Sequence, residues 1–210
     1  MPARVRLAVV VAAALLLALS GAALLAQARG GDEGTQGPGS PFAGALRPPG
    51  VPPAELRGLR DQDGRPVSLR ELRGQPVVVT FLYTSCEDTC PLTAQQVRGA
   101  LDDLGRDVPA LAVSVDPAND TPERARRFLR RQGLQGRMRY LLGDRPALAR
   151  QWRAYGIQPQ GDGFEHSAHV VLLDGRGVQR IGFPVSRLDP EALAHDLRVL
   201  SDGARAAPAS

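Results

Sequence analysis

One strand-like run leads straight into the chain's only two cysteines, and that juxtaposition fixes what kind of fold it can build. Val77-Val78-Val79-Thr80-Phe81-Leu82 is an unbroken β-branched and aromatic stretch, the composition of a strand covered on both faces. Cys86 and Cys90 lie in the turn that follows, and Pro91 comes directly after the second. Proline fits the first helical position, where its missing N–H costs nothing. The pattern therefore predicts strand, turn, then a helix from Pro91 to about Leu104, with Leu92, Val97, Leu101 and Leu104 as its apolar stripe and Gly105 as its stop.

The same alternation continues. Ala110–Val115 reads as a second strand. Thr121 then suits an N-cap, Pro122 the first helical position, and Glu123 the positive end of the dipole of a helix that stops near Gly133. Met138–Leu142 follows as a short strand, and Asp144 caps a third helix over Arg145–Tyr155. Ser167–Leu173 and Val178–Phe183 are joined by the turn signal Asp174-Gly175-Arg176-Gly177, and Asp189-Pro190 opens a last helix carrying Leu193, Leu197 and Leu200. Strands alternating with helices predict an α/β fold with a mainly parallel central sheet and helices on both faces. A closing antiparallel hairpin and a terminal helix make that fold thioredoxin-like.

Ahead of this domain, Arg4 and Arg6 precede an uncharged stretch from Leu7 to Ala26. At ~1.5 Å per residue it is about as long as a bilayer core is thick. Residues 1–28 are read as an uncleaved membrane anchor in preference to a cleaved signal peptide, although Ala26-Gln27-Ala28 resembles a cleavage site. Either way the positive flank stays cytoplasmic and the rest faces the extracytoplasmic side, where disulfides persist. Residues 29–53, rich in Gly and Pro, are expected to be a flexible tether, residues 54–203 the folded domain, and residues 204–210 a disordered tail. All 26 basic residues are arginine, densest at Arg126-Arg127 and Arg130-Arg131. Acids are interspersed and aromatics few, so the cluster is a solvated helix face and not a nucleic-acid footprint.

Two thiols four residues apart around one helical turn have Cα atoms about 6 Å apart, within the range a disulfide accepts. The pair either cycles between dithiol and disulfide or holds a metal, as Cu(I) on the two thiolates alone or as zinc completed by further ligands. A purely structural disulfide gains little entropy from so short a loop. Of the three histidines, His166 sits at the mouth of a strand beside the Gly161–Gly163 loop, where a lone histidine is more often structural than a ligand, and spacing alone leaves both roles open. His169, three residues on, points to the opposite face, and His195 falls off the apolar stripe of the last helix.

With these residues in view, the chain resembles the Sco/SenC family of copper-binding, thioredoxin-fold assembly proteins. The matching segments are Thr84-Ser85-Cys86-Glu87-Asp88-Thr89-Cys90-Pro91, Ser114-Val115-Asp116-Pro117-Ala118-Asn119-Asp120-Thr121-Pro122, and Phe164-Glu165-His166-Ser167 with Leu172-Leu173-Asp174. The resemblance implies that Cys86, Cys90 and His166 together bind copper, as Cu(I) or Cu(II). It also implies delivery of copper to, or thiol reduction of, the dinuclear copper centre of cytochrome c oxidase subunit II. The family often has Asp where this chain has Glu165. Capping and turn chemistry account for Asp116 and Asp120, which receive no metal role.

A metallochaperone, with thiol–disulfide reductase activity left open, is thus the expectation. A general thiol–disulfide oxidoreductase is the first rival, though such enzymes use C-x-x-C spacing and this chain has C-x-x-x-C. A copper- or redox-sensing module is the second.

Overall fold

A computed structural model describes residues 39–48, 55–158 and 169–206. Six strands form one sheet: β1 (Ala45–Leu46), β2 (Val77–Leu82), β3 (Ala110–Ser114), β4 (Met138–Leu141), β5 (His169–Leu173) and β6 (Gln179–Pro184). Their order is β1-β6-β5-β2-β3-β4. β2, β3 and β4 run parallel, joined by helices α1 (Thr89–Leu104) and α2 (Pro122–Arg131). After α3 (Arg145–Tyr155), the β5–β6 hairpin returns antiparallel beside β2, and α4 (Pro190–Ala206) closes the fold.

Strand periodicity divides the core in two. Val78 and Leu82 of β2 face α1, α2 and α4, where Val97, Phe128, Leu193 and Leu197 are fully buried. Val77, Val79 and Phe81 face α3 and a 3-10 turn (Leu69–Leu72), packing on Leu148, Trp152 and Tyr155. β2 is buried at every position, as its continuous apolar run requires. Each fully buried Leu or Phe contributes roughly 2 kcal/mol through lost apolar exposure, so this central strand anchors both layers.

Local signals place the helices. The Thr121 hydroxyl accepts the Arg124 N–H at 3.3 Å, and the Asp144 carboxylate accepts the Ala147 N–H at 2.7 Å, capping α2 and α3. α1 ends at Gly105, whose φ of 67° is the left-handed conformation that glycine adopts without strain. On α2, Arg127, Arg130 and Arg131 are exposed, while Arg126 pairs with Asp63 at 3.1 Å, so the arginine cluster is a solvated face.

Two sequence expectations change. The Gly/Pro-rich stretch read as tether is part of the fold at residues 39–48, where β1 pairs antiparallel with β6. Local composition gave no strand signal because the strand is two residues long and is held from outside. The Asp196 carboxylate on α4 accepts the N–H groups of Ala43 at 2.7 Å and Gly44 at 2.9 Å. At the other terminus, residues 204–206 continue α4 instead of beginning a tail. The proposed anchor over residues 1–28 lies outside the described residues. Among the described residues, no helix is long and apolar enough to cross a membrane.

Candidate functional site

The cysteine turn emerges from the C-terminal end of β2, the position where open α/β sheets place ligands. Tyr83–Asp88 link β2 to α1, and the Cys86 N–H closes a tight turn by donating to the Tyr83 carbonyl at 3.3 Å. α1 begins at Thr89, two residues earlier than Pro91 predicts. Asp88 at its N-cap makes no side-chain cap. Instead the Cys86 sulfur accepts the Cys90 N–H at 3.2 Å, so a thiol occupies the place of a capping oxygen.

The two sulfurs have unlike surroundings. Cys86 is half-buried, whereas Cys90 is wholly buried in the core layer beneath α1. Burial pushes the Cys90 thiol far above its ordinary value. A backbone hydrogen bond at Tyr83 works the other way, and the neighbouring Cys86 and Asp120 add to the rise. A helix N-terminus by itself favours a thiolate, but at Cys90 desolvation outweighs that effect. Both cysteines are free thiols. As a donor set, two sulfurs one helical turn apart on a partly open loop fit a soft monovalent metal such as Cu(I).

Sequence reasoning missed the layer behind this turn. Asp120 is 8% exposed, and its carboxylate accepts four hydrogen bonds. Thr84 gives two, from its N–H at 2.8 Å and its hydroxyl at 2.6 Å. The Ser114 hydroxyl gives a third at 2.5 Å and the Tyr140 hydroxyl a fourth at 3.0 Å. Burial raises the Asp120 carboxyl, and these donors pull it back down. Turn chemistry does account for Asp116, whose carboxylate accepts the Asn119 side-chain N–H at 2.8 Å. It does not account for Asp120, because Thr121 already caps α2.

The histidines separate. His195 Nε2 lies 2.9 Å from the Pro41 carbonyl, on the docked N-terminal strap. His169 opens β5 and its carbonyl accepts the Thr80 hydroxyl at 3.4 Å. His166 lies outside the described residues. Among the described residues, no group of three or more His, Cys, Asp or Glu side chains is arranged to hold a metal.

Comparison with known proteins places this architecture. Residues 58–202 match the SCO1/SenC family model, so the chain belongs to that family. Protein SenC of Rhodobacter capsulatus is 30% identical over 148 residues, which are 63% of this chain and 65% of SenC. The chain spans less than two thirds of the length of the curated relatives it matches. Bradyrhizobium japonicum ScoI, solved with copper bound, is 30% identical with a TM-score of 0.55, covering 71% of this chain and 98% of that one. BsSco, described as a Sco-family cytochrome c oxidase assembly protein with a disulfide switch, is 25% identical with a TM-score of 0.60, over 71% of this chain and 95% of that one. The fold is thioredoxin-like, in keeping with these neighbours.

Proposed function

We propose that this SCO1/SenC-family chain is an extracytoplasmic copper carrier, held at the membrane by residues 1–28, that binds one copper ion through Cys86, Cys90 and His166. The cargo is destined for the dinuclear copper centre of cytochrome c oxidase subunit II. The observation that carries this reading is the sulfur pair at the start of α1, with Cys86 half-open and Cys90 buried one turn below it. Two soft donors, one of them reachable, suit a metal that must be held and then surrendered by ligand exchange.

The topology supports His166 as the third ligand. β5 runs antiparallel to β2 with Val170 opposite Thr80, so β5 starts at the same end of the sheet where β2 delivers the cysteine turn. In the sequence His166 precedes His169, the first residue of β5, by three positions. Copper-bound ScoI among the relatives supports copper over zinc as the cargo.

Copper titration of the full chain tests this reading. One copper per chain is expected, abolished in Cys86→Ala and Cys90→Ala and weakened at least about tenfold in His166→Ala. Full copper binding by all three variants would overturn it.

Unequal burial of the thiols favours a second activity on the same residues. Cys86 is the more accessible nucleophile, and Cys90 is placed to resolve a mixed disulfide. Cys86 thiolate would attack a partner disulfide and release one partner thiol. Cys90 would then displace the other, leaving a Cys86–Cys90 disulfide and a reduced partner. The disulfide switch described for BsSco supports this route. It predicts reductase activity that survives His166→Ala, in contrast to copper binding.

A further inference from the structure

We propose that Asp120 is a positioning residue for the dithiol turn: through Thr84 it sets the placement of Cys86 over the start of α1. The inference builds on the Cys86–Cys90 site of the proposed copper carrier and adds a residue that capping and turn chemistry do not explain.

The argument turns on what each hydrogen bond adds. Of the three residues that donate to the Asp120 carboxylate, two are already fixed by the sheet. Ser114 is paired with Leu82 and Tyr140 with Ala112 in parallel ladders. Thr84 lies beyond Leu82, the last ladder residue of β2. It is also the only one to donate twice, from backbone and side chain, across a separation of 36 residues. A carboxylate needed only to tie β3 to β4 would have no use for Thr84. What Asp120 immobilises that the ladders do not is therefore the turn itself.

From Thr84 the restraint passes along two short contacts. The turn closes from Cys86 N–H to the Tyr83 carbonyl, and the Cys86 sulfur receives the Cys90 N–H. Asp120 thus stands behind Cys86 as an outer partner stands behind a metal ligand, fixing its direction without touching the cargo. Burying a carboxylate at this spot is costly unless it is well supplied with donors, and it has four.

Thr84→Val removes the hydroxyl bond at nearly constant volume, and Thr84→Ser restores it. Asp196→Asn is the control, since Asp196 is a second buried carboxylate, on α4, and its partners Ala43 and Gly44 belong to the strap that pairs with β6 and not with β2. Two readouts apply to the full chain: the metal-free equilibrium constant of the Cys86–Cys90 pair against glutathione, and copper dissociation with the Cu(II)–thiolate absorption band. Thr84→Val should shift the equilibrium constant severalfold, move the band and speed copper release about tenfold, with Thr84→Ser returning to wild type. Asp196→Asn should lower stability and leave both readouts unchanged. The proposal is overturned if Thr84→Val leaves both at wild-type values, or if Asp196→Asn shifts them equally. The outcomes separate from those of the copper reading. If the wild-type chain takes up no copper, the carrier role fails, while the glutathione equilibrium still decides the role of Asp120.

Discussion

Asp120 and Asp196 are both buried carboxylates that bind a segment the sheet alone would not hold, yet they do so with different donors. Asp196 accepts two backbone N–H groups, from Ala43 and Gly44, and so docks the N-terminal strap. Asp120 accepts one backbone N–H and three hydroxyls, from Thr84, Ser114 and Tyr140. A backbone N–H can only donate, so the strap has a fixed demand for an acceptor. A hydroxyl can rotate to donate or accept, so the network under the cysteine turn tolerates changes of charge above it. The lesson is one of use: the same buried group serves as a plain latch on one side of the molecule and as an adjustable support under a reactive site on the other.

The largest expected effect comes from removing the richer network. Asp120→Ala would leave four donors around a small cavity, two of them on Thr84. Unsatisfied buried groups cost about 1–3 kcal/mol each, but hydroxyls can find new partners, so a total near 3 kcal/mol is expected. Urea unfolding should register that loss. A loss below about 1 kcal/mol would mean that the network contributes little and that the two carboxylates are not comparable.

The strap offers the next test. A Cβ at Gly44 would come within 2.4 Å of the Ile181 Cγ2 and 2.7 Å of the Phe183 Cζ, so the strap lies against β6 more closely than any side chain permits. Gly44→Val should therefore destabilise by about 1–3 kcal/mol, the usual cost of overpacking. Proteolysis within residues 39–48 should rise sharply, while copper stoichiometry stays at the wild-type value. Loss of copper binding in Gly44→Val would erase the distinction between latch and support.

These two regions also divide what the sequence revealed. The apolar run Val77–Leu82, the caps Thr121 and Asp144, and the turn at Asp174–Gly177 are local patterns, and each lies where sequence reasoning puts it. Cys86 and Cys90 were legible for the same reason, being close in sequence and set at a strand-to-helix turn. The strap and the Asp120 network were not. Asp196 meets its partners across 153 and 152 residues, and Asp120 meets Thr84 across 36, so no window along the chain contains both ends. Asp116 and Asp120 are the same residue type in one turn. Only the tertiary fold makes one a turn former and buries the other.

The smallest effect is the one that reads the carboxylates directly. Burial raises both Asp120 and Asp196 above the ordinary value of 3.8, with hydrogen bonds opposing it in each case. A raised carboxyl holds its proton more tightly in the folded chain than in the unfolded one. Between 3.8 and the raised value the native state therefore binds more protons, and stability falls as pH rises through that window. For one carboxyl the slope cannot exceed about 1.4 kcal/mol per pH unit. Comparing wild type with Asp120→Asn isolates this contribution, because all other titrating groups cancel in the difference. The stability advantage of wild type over Asp120→Asn should shrink as pH climbs above 3.8 and then level off. Asp196→Asn should give a curve of the same sign. A difference that grows with pH at Asp120 but shrinks at Asp196 would mean that four donors outweigh burial where two do not.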